Sequence, residues 1–91
     1  MAEEEEPPIQ YYEILEHKTI SKRGRWWTLL TLLKDTEKDQ TFLSIYKFQK
    51  RTNKNTEEKY WAKHSSFRIN NIKHAETLVE SLKDLMVIWE E

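Results

Sequence analysis

At Asn70-Asn71 the spacing of apolar residues changes, and that change divides the chain into two kinds of structure. Beyond it, Ala75, Leu78, Val79, Leu82, Leu85 or Met86, and Trp89 recur at steps of three and four, which lines them along one face of an α-helix. Asn70 and Asn71 offer N-cap side chains, although Lys73 and His74 stand where a capping box needs Glu or Gln. Ahead of this point the chain is a series of short apolar and aromatic runs separated by polar turns. The clearest is Thr41 to Lys50: Phe42, Ser44, Tyr46, Phe48 and Lys50 share one parity, and Leu43 and Ile45 hold the other. Ile9 to Lys18, Trp26 to Leu33 and Tyr60 to Ile69 complete four predicted strands. Polar stretches separate them: Ser21 to Gly24, whose glycine is the only one in the chain, Asp35 to Gln40, and Arg51 to Lys59. Four strands followed by one helix predict an α+β domain, with an antiparallel sheet covered on one face by the helix.

A chain of 91 residues has room for one domain and a small core. Met1 to Pro8, with four consecutive Glu and then two Pro, has too little apolar surface to offset its ordering entropy, so a disordered acidic tail is expected at 1–8 and a single domain at 9–91. At its end the helix becomes apolar right round its axis, through Leu85-Met86-Val87-Ile88-Trp89. One sheet cannot cover every side of such a helix. A homodimer with Leu85, Val87, Ile88 and Trp89 at the interface is one solution; strand 1 or the N-terminal arm wrapping over this end is the other.

The net charge of −1 conceals a strong segregation. Residues 1–16 carry −6, residues 17–68 carry thirteen Lys and Arg against five acids for +8, and residues 69–91 carry −3. A basic middle of this kind attracts polyanions whatever the overall charge. An acidic arm could also compete with a polyanion for that middle.

Enzymatic chemistry finds little support. His17, His64 and His74 fall on different predicted elements with no metal-ligand spacing, there is no cysteine, and neither a Gly-rich phosphate loop nor a nucleophile elbow is present. No catalytic residue, metal or cofactor is expected. No apolar run is long enough to span a membrane and no signal-peptide pattern opens the chain, so an intracellular protein, cytoplasmic or associated with nucleic acid, is expected.

Single strands are held by cations that track phosphates and by aromatic rings on which bases stack. The basic middle interleaves both types. Lys22, Arg23 and Arg25 adjoin Trp26-Trp27; Tyr46-Lys47-Phe48 runs into Lys50-Arg51; Tyr60-Trp61 precedes Lys63, with His64 and Arg68 following. Since Trp26 and Trp27 point to opposite faces of a strand, one belongs in the core. Strand parity places Leu43, Ile45, Phe67 and Ile69 under the helix. It leaves Phe42, Tyr46, Phe48, Lys50, His64 and Arg68 on the open side. Trp61 and Lys63 share parity with Phe67, so a bulge or a sheet edge must intervene for them to join that surface.

The element order, with Ser44-Ile45-Tyr46-Lys47-Phe48 on the third strand and Phe67-Arg68-Ile69-Asn70 leading into Leu78, Leu82 and Leu85, resembles the single-stranded-DNA-binding transcriptional coactivators called positive cofactor four. Archaeal single-stranded-DNA-binding proteins of similar architecture are an equal comparison. The resemblance implies a dimer of curved four-stranded sheets meeting through their C-terminal helices, with DNA across the sheets. It maps ligand contacts to Phe48, Lys50, Lys63 and His64. The chain departs from that pattern at Asp35 to Gln40, which lacks a glycine, and at Asn70-Asn71, which replaces Asn-Pro. The expectation is therefore single-stranded DNA binding of low sequence specificity, with transcription or replication proteins as further partners. RNA binding on the same face and protein docking through an aromatic patch are the alternatives.

Overall fold

The computed structural model describes residues 6–91; Met1–Glu5, the larger part of the expected acidic tail, lies outside them. Four strands, β1 (Glu13–Arg23), β2 (Trp26–Asp35), β3 (Gln40–Thr52) and β4 (Lys59–Ile69), precede one helix, α1 (Ile72–Glu90). The strands form an antiparallel meander in the order β1-β2-β3-β4, an open curved sheet of α+β class. Strand 1 begins later than its composition predicts. Residues Pro7 to Tyr12 form instead an arm ahead of the sheet, in which two prolines lack the N–H a ladder needs.

Each turn has a local cause. Gly24 has φ 57°, and a Cβ placed there would meet no atom within 4 Å, so backbone angle rather than space calls for glycine. The Arg25 carbonyl accepts the Lys50 N–H at 2.8 Å, tying the β1–β2 turn to β3. Between β2 and β3, Asp35 Oδ1 accepts the N–H groups of Glu37 and Lys38 at 3.0 and 3.2 Å, and Asp39 takes the left-handed conformation at φ 52°. Aspartate tolerates that region, which is how this turn works without glycine.

The main core cluster lies on one face of the sheet, with Ile69 buried on the other face, opposite Leu43, where it was expected. Trp27, Leu29 and Leu33 of β2 pack with Phe42, Tyr46 and Phe48 of β3, flanked by Ile9, Tyr12, Ile14 and Trp61. Two buried hydroxyls among them are satisfied: Thr31 Oγ1 donates to the Ser44 carbonyl (2.9 Å) and Ser44 Oγ to the Phe67 carbonyl (3.2 Å). Truncating a buried aromatic such as Phe48 to Ala costs about 3–5 kcal/mol in comparable cores.

The helix does not cover the sheet as the apolar pattern suggested. Asn71, not Asn70, is its N-cap, with the side chain accepting the His74 N–H at 2.9 Å. From there α1 contacts chiefly β4, and none of its residues is buried. Leu43 and Ile45 do lie on the face opposite the aromatic core, but only half-buried. Phe67, expected under the helix, is 61% exposed. The helix meets chiefly β4, while Ile9 and Tyr12 of the arm and Ile14 of β1 pack against the aromatic face, where the main core forms. The radius of gyration is accordingly 15.5 Å, against about 12 Å for a compact chain of this length.

Candidate nucleic-acid interface

A β-bulge decides which side chains meet. Ser65 stands opposite Lys47 and Lys63 opposite Phe48, so His64 is an extra residue in β4. Its insertion reverses the parity of the strand's first half. Trp61 and Lys63 thereby reach the aromatic face, opposite Lys50 and Phe48, through a bulge of the kind their strand parity called for. The same bulge overturns the placement of His64. Its ring lies on the other face, edge-on to Trp26 at 5.0 Å and 88°.

At the end of the sheet near Gly24, cations and indoles alternate. Lys22 Nζ lies 4.3 Å from the Trp27 ring centre and 5.7 Å from that of Trp61, and Lys50 Nζ lies 5.0 Å from Trp61. The two indoles are 5.5 Å apart. Trp27 is the core member of the Trp26-Trp27 pair at 1% exposure, with its Nε1 donating to Thr19 Oγ1 at 3.0 Å. Trp61 is half-buried. Beside them opens a groove of about 480 Å³ lined by Arg25, Gln49, Lys50, Arg51, Thr52 and Lys59, four cations and, among the described residues, no carboxylate. Tyr60, paired with Arg51 across the ladder, is exposed at its rim.

The opposite face carries a second cluster at the same end. Trp26 is 38% exposed, Lys47 Nζ stands 4.6 Å from its ring centre, and Arg23 is its ladder partner on β1. Basic and aromatic groups thus flank this end of the sheet on both sides. Far along β4, Arg68 lies 3.7 Å over the Phe42 ring and donates from Nε to Asn70 Oδ1 at 2.6 Å, distant in sequence register from the indole cluster.

Tyr46 and Phe48 do not form an open platform. Their rings stack at 5.6 Å with planes 3° apart, yet they are 7% and 1% exposed. The arm accounts for this: Ile9 and Tyr12 pack on the cluster, and Tyr12 meets Phe42 edge-on at 5.0 Å. Burial pushes the Tyr46 hydroxyl's pKa above its ordinary value, with Tyr12 adding to the rise and Ser44 and Arg68 opposing it.

Leu85, Val87, Ile88 and Trp89 project from the last turns of α1, 64%, 64%, 64% and 85% exposed. Neither strand 1 nor the arm wraps this end; the arm lies on the sheet. Sequence parity missed Lys47 because it faces away from the aromatic core, and missed Lys59 because it falls at a loop boundary. The apolar Ile9 and Tyr12 following two prolines were the available signal for the arm.

Comparison of the chain with family models, with curated proteins and with solved structures returns no match. Among the described residues no cluster of His, Asp and Glu has the geometry to hold a metal ion, and no helix is long and apolar enough to cross a membrane.

Proposed function

We propose that this protein binds single-stranded nucleic acid without catalysis, through the end of the sheet that carries Lys22, Arg25, Lys50, Arg51, Lys59, Trp61 and, on the far face, Trp26. One observation carries the reading: a groove with four cations and, among the described residues, no carboxylate adjoins indoles that lysines approach within 4.3–5.7 Å. Cations there neutralise phosphates, and an exposed indole such as Trp26 offers a face on which a base stacks. The shape suits single strands, because nothing in it has the width or regular spacing of a helix that enters a duplex groove. DNA is favoured over RNA on the resemblance of element order to the coactivator family, and a role beside transcription or replication proteins rests on the same ground.

The working form in this proposal is a homodimer. Its support is the helix, which has no buried residue and exposes Val79, Leu82, Leu85, Met86, Val87, Ile88 and Trp89 together. A solvated patch of that extent marks an interface, and a second copy offers the same patch about a twofold axis.

Anisotropy titration of a labelled oligo-dT of roughly 20 nucleotides against a duplex of equal length, at two salt concentrations, tests the reading. Tighter binding of the single strand, weakening with salt and accompanied by tryptophan quenching, is the expected result. Absence of binding at low salt overturns it and leaves docking of a protein partner.

A further inference from the structure

The arm stands where a nucleic-acid base would stack. Across a cleft of about 370 Å³, Pro8 to Tyr12 face Tyr46, Phe48 and Lys63. Beneath lie the parallel rings of Tyr46 and Phe48, 5.6 Å apart, an aromatic pair of the kind that accepts a base face.

The seating of the arm is weak in three respects. Its backbone hydrogen bond among the described residues, Ile9 N–H to the Pro7 carbonyl at 2.8 Å, closes within the arm and adds nothing to the sheet. Tyr11 holds φ 74° while 90% exposed, so an aromatic residue sits in the left-handed region with no packing to hold it there. A cleft remains beside the arm, although Tyr46 and Phe48 beneath it are only 7% and 1% exposed. Against these stand Ile9 and Tyr12, which pack on the core, and Pro7, which is buried.

Immediately ahead of the arm, the sequence places Glu3, Glu4, Glu5 and Glu6. A phosphodiester chain carries the same sign of charge. Whatever cations favour this acidic run also favour the polyanion, so the two compete. We propose that residues 6–12 are a displaceable cover, which closes the Tyr46–Phe48 stack in the free protein and yields it to the bases of a bound single strand. The inference rests on the nucleic-acid reading above and adds its regulation: affinity is set by competition between the arm and the strand for one aromatic surface. Bound bases would then extend from Trp61 along the sheet to Tyr46, with Lys63 between them. Removal of the arm's apolar cover is offset by base stacking on the same rings.

Hydrogen exchange on the full chain, with and without oligo-dT of roughly 20 nucleotides, tests this together with the affinities of wild type and Ile9→Ser. The expected result is faster exchange of the Ile9–Tyr12 amides in the complex while the β3 and β4 amides slow, and at least threefold tighter binding by Ile9→Ser. Binding by Ile9→Ser where wild type fails to bind supports the cover equally. Wild-type binding with unchanged arm exchange, and equal affinity for Ile9→Ser, overturns the cover and leaves nucleic-acid binding standing. Failure of both proteins to bind at low salt overturns the functional reading and the cover with it. The exchange arm of the experiment needs no substitution, so it holds even where Ile9→Ser is poorly folded.

Discussion

Lys50 and Trp61 face each other across the β3–β4 ladder, with the ammonium 5.0 Å from the centre of the indole. In the proposed binding mode this pair would bring a phosphate-binding charge and a base-stacking ring to one point, where a cation over an aromatic face also steadies both side chains. Arg51 is the next residue along the groove. Replacing Lys50 and Arg51 together by Glu reverses two charges there. Oligo-dT affinity should fall by at least tenfold, and the salt dependence should flatten by about 0.7 in logarithmic slope for each phosphate that is no longer neutralised. Anisotropy at several salt concentrations reads both; unchanged affinity would sink the assignment of this face.

Trp26 offers a test with little structural cost, because it is 38% exposed and stands outside the core cluster. Base–aromatic stacking contributes about 1–3 kcal/mol. Trp26→Ala should therefore weaken single-strand binding by about fivefold or more at constant salt slope, since the cations that meet the phosphates remain. The far-ultraviolet dichroism of the variant should match wild type.

Val87 is 64% exposed on the apolar end of α1. Lysine at this position disrupts an apolar interface between copies but leaves the sheet of one copy untouched. Val87→Lys should convert a dimer into a monomer in sedimentation equilibrium, and thermal stability should lose its dependence on protein concentration. A mass of one chain for wild type would remove the dimer from the proposed function.

Tyr46 predicts an alkaline transition. Its hydroxyl pKa lies above 10.0, first because of burial and then because of Tyr12. The native state thus keeps the proton that the unfolded chain gives up earlier. The stability this group contributes is complete below pH 10.0, and it is lost as pH rises through the raised native value. Urea midpoints measured across that range should fall more steeply for wild type than for Tyr46→Phe.

Asn71 caps α1 by accepting the His74 N–H at 2.9 Å. Asn71→Ala should cost about 1 kcal/mol, a drop of about 4–8 °C in melting temperature for a domain of this size. Asn70→Ala should have a smaller effect, because that side chain receives Arg68 rather than a helix N–H. Calorimetry on the two variants separates them.

The four-plus-one sequence of elements was legible, and the N-cap was narrowed to Asn70 or Asn71, because both depend on short-range pattern. Phe42, Tyr46 and Phe48 alternate with Leu43 and Ile45, and alternation alone puts them on opposite faces. Which of those faces is covered is a different question. Parity cannot say that the residues ahead of β1 fold back over Tyr46 and Phe48, or that the helix will leave Phe67 at 61% exposure. Both outcomes depend on packing between segments far apart in sequence.

His64 marks the same boundary within one strand. The sequence shows that Trp61 and Lys63 have the wrong parity to join Lys50 and Phe48, and that a bulge would cure it. Only the register of β4 against β3 locates that bulge and sends His64 to Trp26. Element type, charge segregation and the apolar helix end were determined by the sequence itself, because local periodicity and composition carry them. The buried face, the partners of each tryptophan and the seat of the arm were decided by tertiary structure, because they arise where distant segments compete to cover the same apolar surface.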